Sequence, residues 1–428
     1  MRRLYSLLLY LVTPMALAYL FVRGLRSRGY RERWTERFGW FDAPQKTPGT
    51  AGAILVHAAS LGEVNAAAAL LRELRLRLPG RQLQITTVTP AGSARVRELF
   101  GDEAFHVYAP LDLPGAVKRF YDCLGPDLLV IMETEIWPNL FGEAARRGIP
   151  IVIANARISP RSLGRYRRLR RFTAQTLEHV SVIGAQSEAD AARLREIGAL
   201  PGRLTVTGNL KFDVRLDPGV PGNGAALRRA WGAGRPTILG GSTHEGDERP
   251  LLQAFRGLLP DFPDALLLLA PRRPERFLRA AQLVRDAGLQ VALRSAGLEA
   301  PADTQCLLID SMGELPTFYA ACDVAFVGGS LEPHGGHNVL EAAALARPVL
   351  VGPHTFNFAD ITGGLVEAGA AWRVADAAEL EAALRRLLAD AGLRERMGAA
   401  GRRQVRTGQG ALERTLALIQ ERLTPAAG

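Results

Sequence analysis

The sequence predicts an α/β protein made of two doubly wound, Rossmann-like domains behind an N-terminal membrane anchor helix. Three observations predict it. Short apolar runs without alternation recur between helical patterns in both halves of the chain, as strands of a buried parallel sheet require. A stretch rich in proline and glycine, Val214 to Gly224, divides the two halves. An uncharged run, Leu4 to Val22, precedes them.

That run has nineteen residues, interrupted only by Pro14, and is long enough to cross or lie deep in a bilayer. Tyr5, Tyr10, Tyr19 and Phe21 suit the membrane interface. Ala16-Leu17-Ala18 resembles a signal-peptide cleavage site, but six arginines follow Val22 by Arg37 and resist translocation. An uncleaved anchor is the better reading, with the body left on the cytoplasmic side. Residues 1–37 carry eight arginines against Glu32 and Glu36, and a second run from Arg157 to Arg171 carries seven with no acid. Basic clusters serve nucleic acid or anionic lipid. Here the first flanks an apolar segment, which favours a membrane surface over nucleic acid. At 428 residues, 47% hydrophobic and 22% charged, the chain is a two-domain globular protein rather than a disordered one. Cys123, Cys306 and Cys322 form neither a disulfide framework nor a zinc spacing.

After a linker at Pro44 to Gly52, strands are expected at 54–56, 83–88, 128–131, 151–154, 180–183 and 204–206. Helices are expected at 64–78, 139–147 and 187–197. Ligands of such sheets bind beyond the carboxyl ends of the strands, so the residues that follow each strand are the site candidates. Ser60-x-x-Glu63 is a capping box, and Glu63 is also a carboxylate at that edge, able to serve as a general base. Glu133 and Glu135 end another strand just before Pro138, as acid/base candidates or as helix-start charge. Lys211, in Gly208-Asn209-Leu210-Lys211-Phe212-Asp213, is either a solvated lysine or a phosphate ligand.

The second half repeats the pattern, with strands expected at 237–239, 265–269, 291–293, 307–309, 324–327 and 349–351. Gly240-Gly241-Ser242-Thr243-His244-Glu245, Pro271-Arg272-Arg273, Asp310-Ser311-Met312-Gly313-Glu314 and the glycine-rich loop Gly328 to Glu341 all follow strands. In the last, four glycines permit close backbone approach, and the loop is expected to aim N–H groups and a helix start at an anion. Together these loops describe a nucleotide crevice. Neither G-x-G-x-x-G, a Walker lysine loop nor an Asp-x-Asp pair occurs, so a dinucleotide enzyme, an ATPase and a divalent metal clamp are disfavoured. His57, His334, His337 and His354 lack any zinc-ligand spacing.

Two doubly wound domains facing a cleft describe the GT-B glycosyltransferase architecture, and the motifs narrow it further. Ser60 to Glu63, Met132 to Asn139, Gly208 to Asp213, Ser242 to Gly246, Pro271-Arg272, Met312 to Glu314 and Gly328 to Glu341 closely resemble the 3-deoxy-D-manno-octulosonic acid (Kdo) transferases of lipopolysaccharide biosynthesis. The resemblance covers almost the whole chain. Leu61 stands where the family usually has Val, and Val339 where it often has Pro.

The resemblance implies inverting transfer of Kdo from CMP-Kdo to a lipid A precursor (lipid IVA) at the inner, cytoplasmic membrane, without a cofactor or metal. It implies Glu63 as general base, helpers among Glu133, Glu135 and Lys211, and CMP contacts at Pro271, Arg272, Met312, Gly313, Glu314, Asn338, Val339, Leu340 and Glu341. The corresponding division is 1–37 anchor and basic flank, 45–213 acceptor-binding domain, 225–409 CMP-sugar domain, and 410–428 closing helix and tail. Two other readings stay open: a membrane-associated GT-B enzyme using a UDP- or GDP-sugar, and a non-enzymatic anchored binding protein in which Glu63 is only a cap.

Overall fold

A computed structural model of the chain describes residues 1–45, 50–297, 300–301 and 303–423. Part of the expected linker Pro44 to Gly52 and the tail 424–428 lie outside the described residues. The chain forms two compact units, Met1–Asp213 with Gln409–Gly428, and Val214–Gly408.

The first unit holds β1 (Ala53–His57), β2 (Gln82–Thr87), β3 (Phe105–Tyr108), β4 (Leu128–Met132), β5 (Ile151–Ala156), β6 (Val182–Ala185) and β7 (Leu204–Val206). They form one sheet in the order β3-β2-β1-β4-β5-β6-β7, parallel throughout. The reversal of order beside β1 makes it doubly wound. Alternate residues of a strand serve opposite faces: Ile54, Val56, Leu128 and Val130 belong to one apolar cluster, Leu55, Leu129 and Ile131 to the other. Both faces are buried, which is why these strands read as unbroken apolar runs.

The second unit holds β8 (Thr237–Thr243), β9 (Leu266–Pro271), β10 (Val291–Leu293), β11 (Cys306–Leu308), β12 (Val324–Val327), β13 (Val349–Val351) and β14 (Ala371–Arg373). Their order is β10-β11-β9-β8-β12-β13-β14, again parallel. The expected fold class is the observed one, with one more strand per sheet than the sequence suggested. The additions, β3 and β14, are short edge strands whose His106, Tyr108, Trp372 and Arg373 break the apolar signal.

Two expectations are corrected. The Pro/Gly stretch 214–224 is not all linker, because a helix begins at Val220 and runs to Trp231. Pro221 falls in its first turn, where no N–H is needed. Gly224 lets it approach its neighbour, since a Cβ there would lie 2.4 Å from that of Ala320. The basic flank is also not wholly free for lipid. Arg33 donates to Ser93 Oγ at 3.1 Å and the His106 carbonyl at 2.9 Å. Arg37 is buried, donates to the Val88 carbonyl at 2.9 Å and lies 4.3 Å from the Tyr108 ring centroid. Both guanidinium groups brace the edge of the first sheet.

The C-terminal helix Ala411–Leu423 packs on the first unit, placing Leu412, Leu416 and Ile419 in the cluster of Ile54 and Val56. Asp213 fastens its start by accepting the N–H groups of Gly410 and Leu412, each at 2.6 Å. Arg414 donates to the Thr207 carbonyl at 2.7 Å. Leu416→Ala should therefore destabilise the protein by about 2–5 kcal/mol, read as a lower urea midpoint with an unchanged slope.

Candidate functional site

In the first unit, β1 ends at His57 and the helix α2 (Leu61–Arg77) begins four residues later. Ser60 caps α2, and Glu63 closes the box by accepting the Ala59 N–H at 2.7 Å and the Ser60 hydroxyl at 3.0 Å. A Cβ on Gly62 would meet only Ser60 Oγ, at 3.8 Å, so the helix start next to Glu63 is uncrowded at that position. Burial pushes Glu63 up to about 7; the Ala59 N–H opposes this, and the Glu135 and Glu133 carboxylates reinforce it. Three acids from two separate motifs therefore share one electrostatic neighbourhood.

Glu133 follows β4 with φ +56°, a left-handed conformation costly for a non-glycine residue, and its N–H donates to the Ala154 carbonyl at 2.9 Å. Glu135 accepts the Trp137 indole N–H at 2.8 Å and is itself raised, by burial first and then by Glu133. The Trp137 and His57 ring centroids lie 5.4 Å apart, edge to face. His57 is buried, its Nδ1 bonded to Thr86 Oγ1 at 2.9 Å, and burial lowers it to about 4, so it is neutral. Lys211 sits in the turn Leu210–Phe212, which packs against α2. Its backbone N–H goes to Asn209 Oδ1 at 3.0 Å. Asn155, buried at the end of β5 with φ +56°, accepts the Leu210 N–H at 3.0 Å and so ties Lys211's turn to the sheet edge. Tyr166, within the run Arg157 to Arg171, has no local sequence pattern that marks it for the site. Its hydroxyl is raised by burial and by Glu135, which places it beside the acids.

In the second unit, Pro271 ends β9 and the Arg272 N–H bonds the Thr243 carbonyl at 2.9 Å. The Arg272 side chain is exposed and in no ion pair among the described residues. Met312 is exposed, Gly313 has φ +86°, and Glu314 accepts Arg294 at 2.8 Å and the Ser311 hydroxyl. Asn338 donates to Glu341 Oε1 at 3.0 Å and accepts the Leu340 N–H at 3.1 Å. Burial raises Glu341, against the Asn338 bond. Val339 and Leu340 point into the core, so only their backbone could meet a ligand.

The glycine-rich loop differs from expectation in one respect. The N–H groups of Gly329, Ser330 and Leu331 do aim at an anion, and it is the chain's own Asp247, at 2.7, 3.2 and 3.1 Å. Asp247 also accepts the His244 N–H at 2.9 Å and is fully buried. The sequence carries no signal of this, because an acid in a first helical turn reads as a cap, while its three partners in the loop lie more than eighty residues away. Gly328 is required by this contact, since a Cβ would lie 2.7 Å from the Ser242 carbonyl oxygen. The loop also brings together His244, His334 and His337. The first two rings stack at 4.2 Å, and Nε2 of His244 and His337 are 3.1 Å apart. Burial, then Arg272, lowers His337 to about 4. These rings stack rather than converge, and among the described residues no three His, Cys, Asp or Glu side chains are arranged to hold a metal.

Residues 32–214 match the family described as 3-deoxy-D-manno-octulosonic-acid transferase (kdotransferase), and residues 251–404 match glycosyl transferases group 1. The chain is 41% identical to the 3-deoxy-D-manno-octulosonic acid transferase of Haemophilus influenzae, over 98% of each chain. It is 38% identical to that of Bordetella pertussis, over 98% of this chain and 99% of the other. Among solved structures, S. aureus MnaA with UDP is similar at a TM-score of 0.55 and 15% identity, covering 88% of this chain and 98% of that one, a likeness of fold.

Asp247→Ala should cost about 3 kcal/mol or more, because it strands several buried N–H donors at once. The change should appear as a lowered midpoint in thermal or urea unfolding.

Proposed function

We propose, from the premise that the chain belongs to the 3-deoxy-D-manno-octulosonic acid (Kdo) transferase family, that it transfers Kdo with inversion from CMP-Kdo to a lipid A precursor, lipid IVA. The observation that carries the chemistry is Glu63, a carboxylate at a sheet's carboxyl edge, set against Glu133 and Glu135, with a proton affinity near neutrality.

In this reading an acceptor hydroxyl attacks the anomeric carbon of Kdo, its proton passes to a Glu63 oxygen, and the bond from that carbon to the CMP phosphate oxygen breaks. Glu133 and Glu135 hold Glu63 basic enough to take the proton. Lys211 offsets negative charge as it develops in transfer. CMP leaves as a phosphate monoester. Arg272, exposed and in no ion pair among the described residues, is the cation for it, while Glu341 and Asn338, fixed to each other, address hydroxyl groups of the nucleoside. Pro271 and Met312 to Glu314 line the nucleotide loops of the same unit. The acceptor's acyl chains require the protein at a membrane surface, which the apolar helix of residues 2–25 serves from the cytoplasmic side.

One feature favours the plainer view that Glu63 is only a cap: both of its oxygens already accept hydrogen bonds. Glu63→Gln separates the two. The amide can keep both contacts, accepting from Ala59 and donating to Ser60, so folding should be unchanged. Transfer should fall by about 10²–10⁴-fold, measured as product mass from CMP-Kdo and lipid precursor; unchanged transfer leaves Glu63 as a cap.

Because the base must be ionised, kcat/KM should rise with pH along an acidic limb centred near 7 and then level off. Arg272→Ala should raise KM for the nucleotide sugar without moving that limb. Competition by CMP, but not by UDP or GDP, tests the donor.

A further inference from the structure

The N-terminal helix α1 (Arg2–Arg26) has twenty-five residues, or about 37 Å, enough to cross the roughly 30 Å core of a bilayer. Its fastenings argue against that course. At its start, the Tyr5 hydroxyl donates to Asp112 Oδ2 at 3.0 Å, and Ser6 exchanges a hydrogen bond with Asn139. Asp112 is itself buried, accepting the N–H groups of Asn139 and Leu140 at 3.0 and 2.7 Å where the helix Pro138–Arg146 begins. The Tyr5 ring lies 5.3 Å from that of Phe172. At its end, Gly24 is covered by Arg31, and Gly29 lies against Pro90, where a Cβ would be 2.9 Å from the proline's Cβ. Arg33 then bonds Ser93. Both ends of α1 are thus tied to the same unit, and Pro90, Ser93, Asp112 and Asn139 among the attachment points follow the carboxyl ends of β2, β3 and β4 in one parallel sheet.

The faces of α1 agree. Tyr5, Leu9, Thr13, Ala16 and Leu20 are half-buried and Gly24 is buried, a stripe at helical spacing along the whole length. The opposite side exposes Leu7, Leu11, Met15, Val22 and Leu25, with Met15 at 72%. The helix carries no acid, and arginines stand at both ends. Beside Phe172, the helices Pro160–Arg168 and Arg170–Leu177 expose Arg161, Arg165, Arg168 and Arg171, none with an acidic partner among the described residues.

We infer that α1 does not span the membrane but lies in the plane of its cytoplasmic interface, clipped at both ends to the first unit, with its exposed apolar side in an anionic bilayer surface. A spanning helix would carry Tyr5 and Ser6 to the far side, away from Asp112 and Asn139. An in-plane helix keeps those bonds, immerses the uncovered stripe, and turns the exposed arginines beside it towards lipid phosphates. The inference rests on the proposed membrane association and deepens it.

Inverted membrane vesicles from cells producing the full chain provide the test, in a Cys123→Ser background. Single Arg3→Cys and Ser27→Cys variants are treated with a membrane-impermeant maleimide, with Glu98→Cys marking the side of the body. Labelling of all three from the outer face of these vesicles is expected. Arg3→Cys labelled only after the vesicles are permeabilised, with Ser27→Cys and Glu98→Cys labelled before, overturns the in-plane course and leaves membrane association standing. A bimane at Leu11→Cys decides the course where Arg3→Cys resists labelling. Quenching mainly by lipids brominated near the headgroup supports the in-plane helix, and quenching mainly by lipids brominated at the chain ends overturns it. If the chain fails to float with vesicles of phosphatidylethanolamine and phosphatidylglycerol, membrane association fails and the inference with it.

Discussion

A carboxylate accepting backbone N–H groups at the edge of a parallel sheet is the interaction on which the rest of this structure depends. Parallel βαβ units bring every helix start to the same edge, and each start leaves N–H groups without partners. This chain fills those positions with acids. Asp112 takes Asn139 and Leu140, Asp190 takes Ile158, and Asp213 takes Gly410 and Leu412. Asp247 takes His244, Gly329, Ser330 and Leu331. Each bond joins an element to one distant in sequence, except the local His244 contact. The loops at the chemical edge are therefore held by charge-assisted hydrogen bonds more than by their own apolar content.

The same inventory separates a fully enclosed acid from one that is not. Asp247 is enclosed by its donors and has no surface left for a ligand. Glu63 accepts one backbone N–H and one hydroxyl, keeps lone pairs unused, and faces two further carboxylates across the strand ends. Donor count and neighbouring charge, rather than position in a motif, set Glu63 apart from Asp247.

Much of the fold was legible in the sequence. Leu266 to Leu269 and Leu128 to Ile131 read as buried strands from their unbroken apolar runs between helical patterns, and Ser60-x-x-Glu63 reads as a helix start. The edge strands β3 and β14 were hidden because an edge needs no apolar run. Arg33 and Arg37 looked like lipid-facing charge because nothing local shows that Tyr108, Ser93 and Val88 receive them. Arg167 and Arg170 likewise looked unopposed, yet Glu196 pairs with the first and lends its carbonyl to the second. The glycine loop's preference for an anion was legible in its own residues. That Asp247 satisfies it was not, because pairing over such a span is fixed by topology and leaves no local pattern.

Glu63 also shows what such a site costs. Its folded-state proton affinity lies near pH 7, whereas an ordinary glutamate releases its proton near 4.5. Between those values the folded chain holds a proton that the unfolded chain has lost, so this residue's contribution to stability declines as pH rises through the interval and is constant below it. The burial and neighbouring carboxylates that raise Glu63 therefore work against the folded state at neutral pH. A helix cap has no need of that penalty: Ser187 with Asp190 forms a comparable box, Ser187 Oγ donating to Asp190 at 2.6 Å, and Arg193 lies 3.1 Å from the acid to compensate it. At Glu63 the neighbours are acids instead. This fold thus caps one helix with a compensated acid and another with an acid set against two more, the asymmetry that the proposed role of Glu63 as a base calls for.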